Sequence, residues 1–314
     1  MNEIHETENE QTSQNEQPPV GDKTALVTII GRPSAGKSTF LNTAAGEPVS
    51  IVSAIPQTTR NAIRGIVNTS LGQLVFVDTP GYHDSEKKMN LRMRNIVADQ
   101  LAESDLILYI IDTTRNCAEE ERLIAEILEN HQDKLVIALN KNDAPKVLKE
   151  HARKFIKANL PNVPENRILE MSAKNDVGIN EVLKALYDMA PVAPHLYSEE
   201  FYTDQEVDFR IAEVIREQAI NRLDQEVPHA VYVQIADLEQ RSPNKMWCRA
   251  FLCVEKESQK GIVIGKGAQM IKTIRVESIK QLRKIFDYKI DLDLQVKVDK
   301  NWRQRDVTLD KLLK

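Results

Sequence analysis

Residues Gly31-Arg32-Pro33-Ser34-Ala35-Gly36-Lys37-Ser38 form a G-x-x-x-x-G-K-S octapeptide, continued by Thr39. Upstream, Thr24-Ala-Leu-Val-Thr-Ile-Ile30 is a short β-rich apolar run, and downstream Ser38–Ala45 has the texture of a helix. A loop between strand and helix turns backbone N–H groups and a helix N-terminus toward an anion. Gly36 lets the backbone come close to a phosphate. Lys37 reaches the β and γ phosphates of a nucleotide, and the Ser38 hydroxyl is a ligand for Mg²⁺. A chance glycine turn is the competing reading; the flanking strand and helix argue against it.

Working outward, further apolar runs resemble the first: Leu74–Val77, Leu106–Ile111, Leu135–Leu139 and Arg167–Glu170. Helix-like stretches separate them: Lys88–Glu103, Glu119–Asn130, Val147–Ala158 and Ile179–Met189. This alternation predicts an α/β fold with a mostly parallel sheet covered by helices on both faces. Val67–Asn68 and Leu74–Val77, separated by Ser70-Leu71-Gly72, predict a hairpin and hence one antiparallel edge strand.

Three tetrapeptides follow strands in a fixed order. Asp78-Thr79-Pro80-Gly81, followed by Tyr82, puts a carboxylate at a strand end facing Mg²⁺ and a Gly81 N–H within reach of a γ-phosphate. Asn140-Lys141-Asn142-Asp143 offers a carboxylate to guanine, which has N1–H and N2–H₂ donors where adenine has none. Met171-Ser172-Ala173-Lys174 is placed to close on the guanine O6. Each tetrapeptide alone is weak; together, in this order, they indicate GTP and GDP as ligands.

The texture changes twice more. Residues 1–22 are rich in Glu, Gln, Asn, Thr and Ser, which predicts a disordered acidic leader. Pro191-Val-Ala-Pro194 ends the α/β pattern, giving a nucleotide-binding domain over 23–190, a linker over 191–203 and a second domain over 204–314. That domain reads as a helix (Glu206–Asp224), strands (Ala230–Leu238 and Met246–Glu255), an apolar strand Gly261–Ile264, a helix Ala268–Phe286, a strand Lys289–Val298 and a tail helix. Gly265-Lys266-Gly267-Ala268 stands before an amphipathic helix and matches a G-x-x-G loop, through which a nucleic-acid backbone packs closely.

The chain has 314 residues and a net charge of −5, which argues against a nucleic-acid partner until the charge is divided. Residues 1–20 hold five Glu and no Lys or Arg, so that stretch alone equals the total. Residues 256–289 hold nine basic and three acidic residues, a net of +6 around the G-x-x-G loop. A solvated basic helix face is the alternative. No apolar run is long enough for a transmembrane helix, and the polar, acidic N-terminus does not read as a secretory signal. Cys117, Cys248 and Cys253 are too few and scattered for a disulfide framework or a zinc site and read as free thiols.

With these motifs the chain resembles the Era family of ribosome-assembly GTPases. Pro56-Gln-Thr-Thr59-Arg-Asn61 is similar to that family's first switch, Glu226-Val-Pro-His229 and Val296-Lys-Val-Asp-Lys-Asn-Trp302 to segments of its C-terminal part. The resemblance runs over roughly residues 23–314 and implies a P-loop GTPase domain followed by an α+β type II KH domain. It makes Thr59 the hydroxyl that joins Ser38 and Asp78 on Mg²⁺, and Lys37, Thr59 and Gly81 the groups that follow hydrolysis. It implies RNA contact by Gly265, Lys266, Gly267, Ala268 and Lys272. The RNA would be 16S ribosomal RNA near its 3′ end, within a precursor of the 30S subunit. The implied protein is a cytoplasmic monomer with weak peripheral contact at the inner face of the cell membrane. The alternative is a KH adaptor whose nucleotide site is structural or very slow. The chain departs from the family at Ser34, where Asn helps hold potassium in related GTPases, and at Ala268, where Gly is usual. Tyr82 stands where Ras-like enzymes carry a water-orienting Gln. His83 nearby reads as a solvent-exposed loop residue.

Overall fold

The computed structural model describes residues 22–82 and 88–313; residues 1–21 of the expected leader and His83 lie outside the described residues. The first unit runs β1 (Lys23–Ile30), α1 (Lys37–Ala45), β2 (Ile63–Thr69), β3 (Gly72–Asp78), α2 (Lys88–Glu103), β4 (Leu106–Asp112), α3 (Glu119–Leu128), β5 (Leu135–Asn140), α4 (Lys149–Asn159), β6 (Ile168–Glu170) and α5 (Ile179–Met189). Its six strands lie in the order β2-β3-β1-β4-β5-β6. Only the β2–β3 pair is antiparallel, as the hairpin reading required.

Strand β4 shows why the sheet needs helices on both sides. Its seven residues are all buried. Leu106, Leu108 and Ile110 point into one apolar cluster with α1 and α5. Ile107, Tyr109 and Ile111 point into another with α2, α3 and α4. The two-residue period of a strand splits one apolar run between two cores.

The parallel arrangement gathers chemistry at one edge. Asp78 pairs with Ile29 at the end of β1, just before the glycine loop, and Asp112 pairs with Asn140 across β4 and β5. Ligands of open α/β sheets sit at this carboxyl edge.

The second unit runs α6 (Val207–Ile220), α7 (Val227–Ala230), β7 (Tyr232–Ser242), β8 (Lys245–Val254), α8 (Glu257–Ile264), α9 (Gln269–Ile285), β9 (Lys289–Val298) and α10 (Asp306–Leu312). Its sheet has the order β7-β8-β9, antiparallel then parallel. Cys248, Ala250 and Leu252 of β8 and Ile290, Leu292 and Leu294 of β9 close a core with α6 and α9.

One expectation is corrected here. Gly261–Ile264 is the last turn of helix α8, not a strand. Three apolar residues in a row carry no period that separates strand from helix. The deciding signal lies upstream, where Gln259 Oε1 accepts from Glu255 N and Lys256 N and caps the helix start. Within the run only Val263 is buried, while Ile262 is exposed.

The stretch 191–203 is bonded along the first unit. Pro191 and Ala193 oxygens accept from Thr24, the Gln73 amide joins Leu196 and Tyr197, and Ile66 N donates to Tyr202 O. No helix among the described residues is long and apolar enough to cross a membrane.

Candidate functional site

The glycine loop is held from three sides. Gly36 has φ 102°, and a Cβ there would lie 2.2 Å from Asn140 Nδ2, so only glycine fits. Asn140 Nδ2 donates to Ala35 O at 2.9 Å, and its Oδ1 accepts from Ala173 N at 3.0 Å. Thr43 Oγ1 donates to Ala173 O at 2.7 Å. The first, third and fourth motifs thus meet through one amide side chain. Asp143 Oδ1 accepts from Ser172 Oγ at 2.6 Å, a bond that holds the Asp143 carboxyl below its ordinary range. Asn142 N donates to Met171 O, and Lys174 is exposed.

Lys37 is buried at 6% exposure, with its ammonium donating to the oxygens of Gly31 and Arg32 at 2.9 and 3.1 Å. Burial pushes its pKa down to about 8, against the pull of Asp78. Ser38 Oγ donates to Asp78 Oδ2 at 2.6 Å and lies 3.0 Å from Thr59 Oγ1; Thr59 Oγ1 is 3.4 Å from Asp78 Oδ2. Burial pushes the Asp78 carboxyl up, and its Oδ1 is buried without a partner. The three residues predicted to share a cation are therefore brought together.

Thr79 is used differently: its hydroxyl is spent on Ile29 O at 2.7 Å. Pro80 is buried, and Gly81 lies so near the loop that a Cβ would stand 2.7 Å from Pro33 Cα. Tyr82 N donates to Gly31 O at 3.3 Å. Ser34 is exposed, with φ 61°. Arg32 belongs to the loop by its backbone, but its side chain turns inward to Asp112 and Glu121.

Sequence reasoning missed four partners. Ser50 Oγ donates to Asp78 Oδ2 at 2.7 Å, and Asn42 clamps the Ser50 backbone with two bonds. Asp112 accepts from Lys141 Nζ at 2.8 Å. Arg60, next to Thr59, reaches the second unit: its Nη1 donates to Val231 O at 2.8 Å and its Nη2 to His229 O at 3.2 Å, with the guanidinium over the Trp302 ring. Asp112 carried a readable signal, a carboxylate closing an apolar strand at the edge shared with Asp78 and Asn140. Ser50 and Arg60 carried none.

Arg60 is one of several ties. Arg216 Nη2 donates to Thr58 O, Glu217 Oε1 accepts from Val52 N, and Ile55 packs on the core of the second unit. Met89 of α2 enters the small cluster of Tyr232, Cys253, Trp302 and Leu309.

At the far end, α8 stops at Gly265, with φ 75° and ψ 169°, a backbone region essentially reserved for glycine. Lys266, Gly267 and Ala268 are exposed, as are Lys272, Arg283 and Lys284 of α9. The last three and Lys266 make no ion pair among the described residues. The cysteines are free, and burial pushes the Cys248 and Cys253 thiols up to about 12 and about 11.

A strand–loop–helix glycine loop with Asn140–Asp143 and Ser172–Lys174 gathered beside it, followed by a mixed-sheet unit bearing a G-x-x-G loop, defines a P-loop GTPase joined to a KH domain. A family model described as 50S ribosome-binding GTPase matches residues 26–141, and one described as KH domain matches residues 226–303. GTPase Era of Treponema denticola is 57% identical over 288 residues, 91% of this chain and 98% of that protein. GTPase Era of Treponema pallidum is 45% identical over 93% of this chain and 97% of its own. Among solved structures, Era in complex with MgGDPNP and nucleotides 1506–1542 of 16S ribosomal RNA matches with TM-score 0.87 at 30% identity, over 92% of this chain and 98% of that one. The chain belongs to the Era GTPase family and is a GTPase.

Proposed function

We propose that this protein is a GTP-driven switch that binds 16S ribosomal RNA near its 3′ end and assists assembly of the 30S subunit. The related Era structure carries an RNA fragment from that region together with MgGDPNP, which supports this choice of RNA and nucleotide. In this reading residues 31–39 cradle the phosphates, Asp143 and its neighbours read guanine, and Ser172, Ala173 and Lys174 close over the base. The donor set suits Mg²⁺: two hydroxyls and one carboxylate, all hard oxygens, with Asp78 Oδ1 buried and free to accept a ligand. Ser38, Thr59 and Asp78 would hold it, and the ion would neutralise charge on the β and γ phosphates. Gly265, Lys266, Gly267, Ala268 and Lys272 face the RNA backbone. We place the protein in the cytoplasm as a monomer, with weak contact to the inner face of the cell membrane through its exposed basic face.

The carrying observation is the adjacency of Thr59 and Arg60. Thr59 stands 3.0 Å from Ser38 Oγ, while Arg60 is anchored in the backbone of the second unit. A change at the γ-phosphate is thereby delivered to the KH domain through one peptide bond. The test is the affinity of the full-length protein for an RNA oligonucleotide of the 16S 3′ end, with GDP and with a non-hydrolysable GTP analogue. A ratio of at least about fivefold is expected, within the usual range of coupling energies. Arg60→Ala should shrink that ratio toward one. A wild-type affinity indifferent to nucleotide sinks the switch.

A further inference from the structure

Behind the glycine loop lies a second buried polar cluster, and the base-reading segment is tied to it. Arg32 is 5% exposed, and Asp112 and Glu121 are each 2% exposed. Arg32 Nη2 stands 3.1 Å from Asp112 Oδ2, and Arg32 Nε stands 3.1 Å from Glu121 Oε1. The same Asp112 Oδ2 accepts from Lys141 Nζ at 2.8 Å. Thr114 N and Oγ1 occupy Asp112 Oδ1, and Ala118 N occupies Glu121 Oε2. The cluster holds two cations and two anions, so it is neutral as a set and unbalanced by loss of any one member.

Two features of Lys141 connect this set to nucleotide binding. Its φ is 69°, a left-handed conformation that a lysine keeps only where its surroundings enforce it. Its ammonium is bound to the buried Asp112 carboxylate, while its side chain as a whole is 35% exposed. Lys141 stands two residues from Asp143, so a shift of its backbone moves the carboxylate of the base-reading segment. Arg32 touches neither Lys141 nor Asp143 through a hydrogen bond; its nitrogens miss linear bonds to both carboxylates and hold them by charge.

We propose that Arg32 is a positioning residue for the base site. It holds Asp112 and Glu121 together, Asp112 fixes Lys141, and the fixed left-handed backbone at Lys141 keeps Asp143 in place for the base and lengthens nucleotide residence. The inference rests on the reading of Asn140–Asp143 as the guanine-reading segment.

The test measures release of fluorescent GDP and GTP analogues from the full-length protein by stopped flow. Arg32→Lys keeps the charge but replaces the fork with a point donor that reaches one carboxylate at a time. It should speed release of both nucleotides about tenfold and raise KM for GTP more than it lowers kcat. Lys141→Ala should speed release by a similar factor, and the double variant should equal Lys141→Ala alone. Effects that multiply in the double variant, or an Arg32→Lys protein that melts normally and releases nucleotide at the wild-type rate, overturn the link. A wild-type protein that holds an ADP analogue as long as the GDP analogue overturns the base reading itself, and the link with it.

Discussion

Two glycine loops of this protein, both proposed to meet phosphate, are built in opposite ways. The loop at 31–38 is enclosed: Lys37 and Arg32 are buried, and Asn140 bonds Ala35 from a different strand. Its conformation is imposed by a side chain 105 residues away in sequence, which Ala173 in turn holds in place. The loop at 265–268 is open. Lys266, Gly267 and Ala268 are exposed, and the bonds that shape it are local, Gly265 N to Gly261 O and Ala268 N to Gly265 O. An enclosed loop suits one small ligand held in a fixed pose; an open loop suits a polymer that passes across it. Substitutions should therefore act through distant partners at the first loop and through backbone conformation or charge at the second.

The largest effect should come from Gly36→Ala. The new Cβ would overlap Asn140 Nδ2, and the φ of 102° is strained for alanine. Moving Asn140 also frees Ala35 and Ala173. GTP and GDP affinity should fall about a thousandfold, or ~4 kcal/mol, by titration calorimetry. A loss below about tenfold would mean that the enclosure is not what shapes this loop.

Next is the brace behind it. Asp112→Asn leaves Arg32, Glu121 and Lys141 unbalanced and should lower unfolding stability by about 3 kcal/mol at pH 7 in urea titrations. Burial pushes the Asp112 carboxyl up, but bonds from Lys141 and Thr114 outweigh it and leave the group below its ordinary value of 3.8. A lowered folded-state pKa stabilises the fold above the unfolded value and loses that contribution as pH falls through the folded one. The gap between variant and wild type should therefore narrow below about pH 4. A constant gap across that range would assign the loss to packing.

The open loop should respond to charge without loss of fold. Lys266 and Lys272 together changed to Ala should weaken RNA binding about tenfold at moderate salt. The slope of log affinity against log salt should become shallower by about 1.4, some 0.7 for each phosphate of a single strand that the protein no longer neutralises. Melting should not move. An unchanged slope would place the RNA elsewhere.

The same contrast explains what could be read from the residues alone. The enclosed loop was legible because strand, glycine pattern and helix are contiguous, and Asp78 and Asn140 each close a strand at the same edge, with Ser172 just beyond the end of a third. Its braces were less so: Asp112 carried a strand-end signal, Ser50 and Glu121 carried none, and all three meet their partners only when the sheet is assembled. Around the open loop, Lys289–Val298 was legible from its alternation, while Gly261–Ile264 misled. Four residues cannot distinguish a two-residue period from a helical one, and the capping by Gln259 lies outside the apolar run. Arg60 carries one of the contacts between the units and looked like any polar loop residue, because its partners are backbone oxygens with no side-chain signature.

The smallest expected effect tests the local character of the second loop most directly. Ala268 has φ 59° and ψ 23°, a left-handed conformation that costs a residue with a Cβ about 1 kcal/mol. It is exposed, so no packing rewards the methyl group. Ala268→Gly removes the strain but enlarges the unfolded ensemble, which returns about half of the gain. The net should be a stabilisation of ~0.5 kcal/mol, visible as a rise in Tm of about 1–2 °C. RNA affinity should change less than about twofold, because Lys266 and Lys272 remain. A fall in Tm would mean that the Ala268 methyl makes a contact worth more than its strain, and the loop would then be fixed by tertiary partners as the first one is.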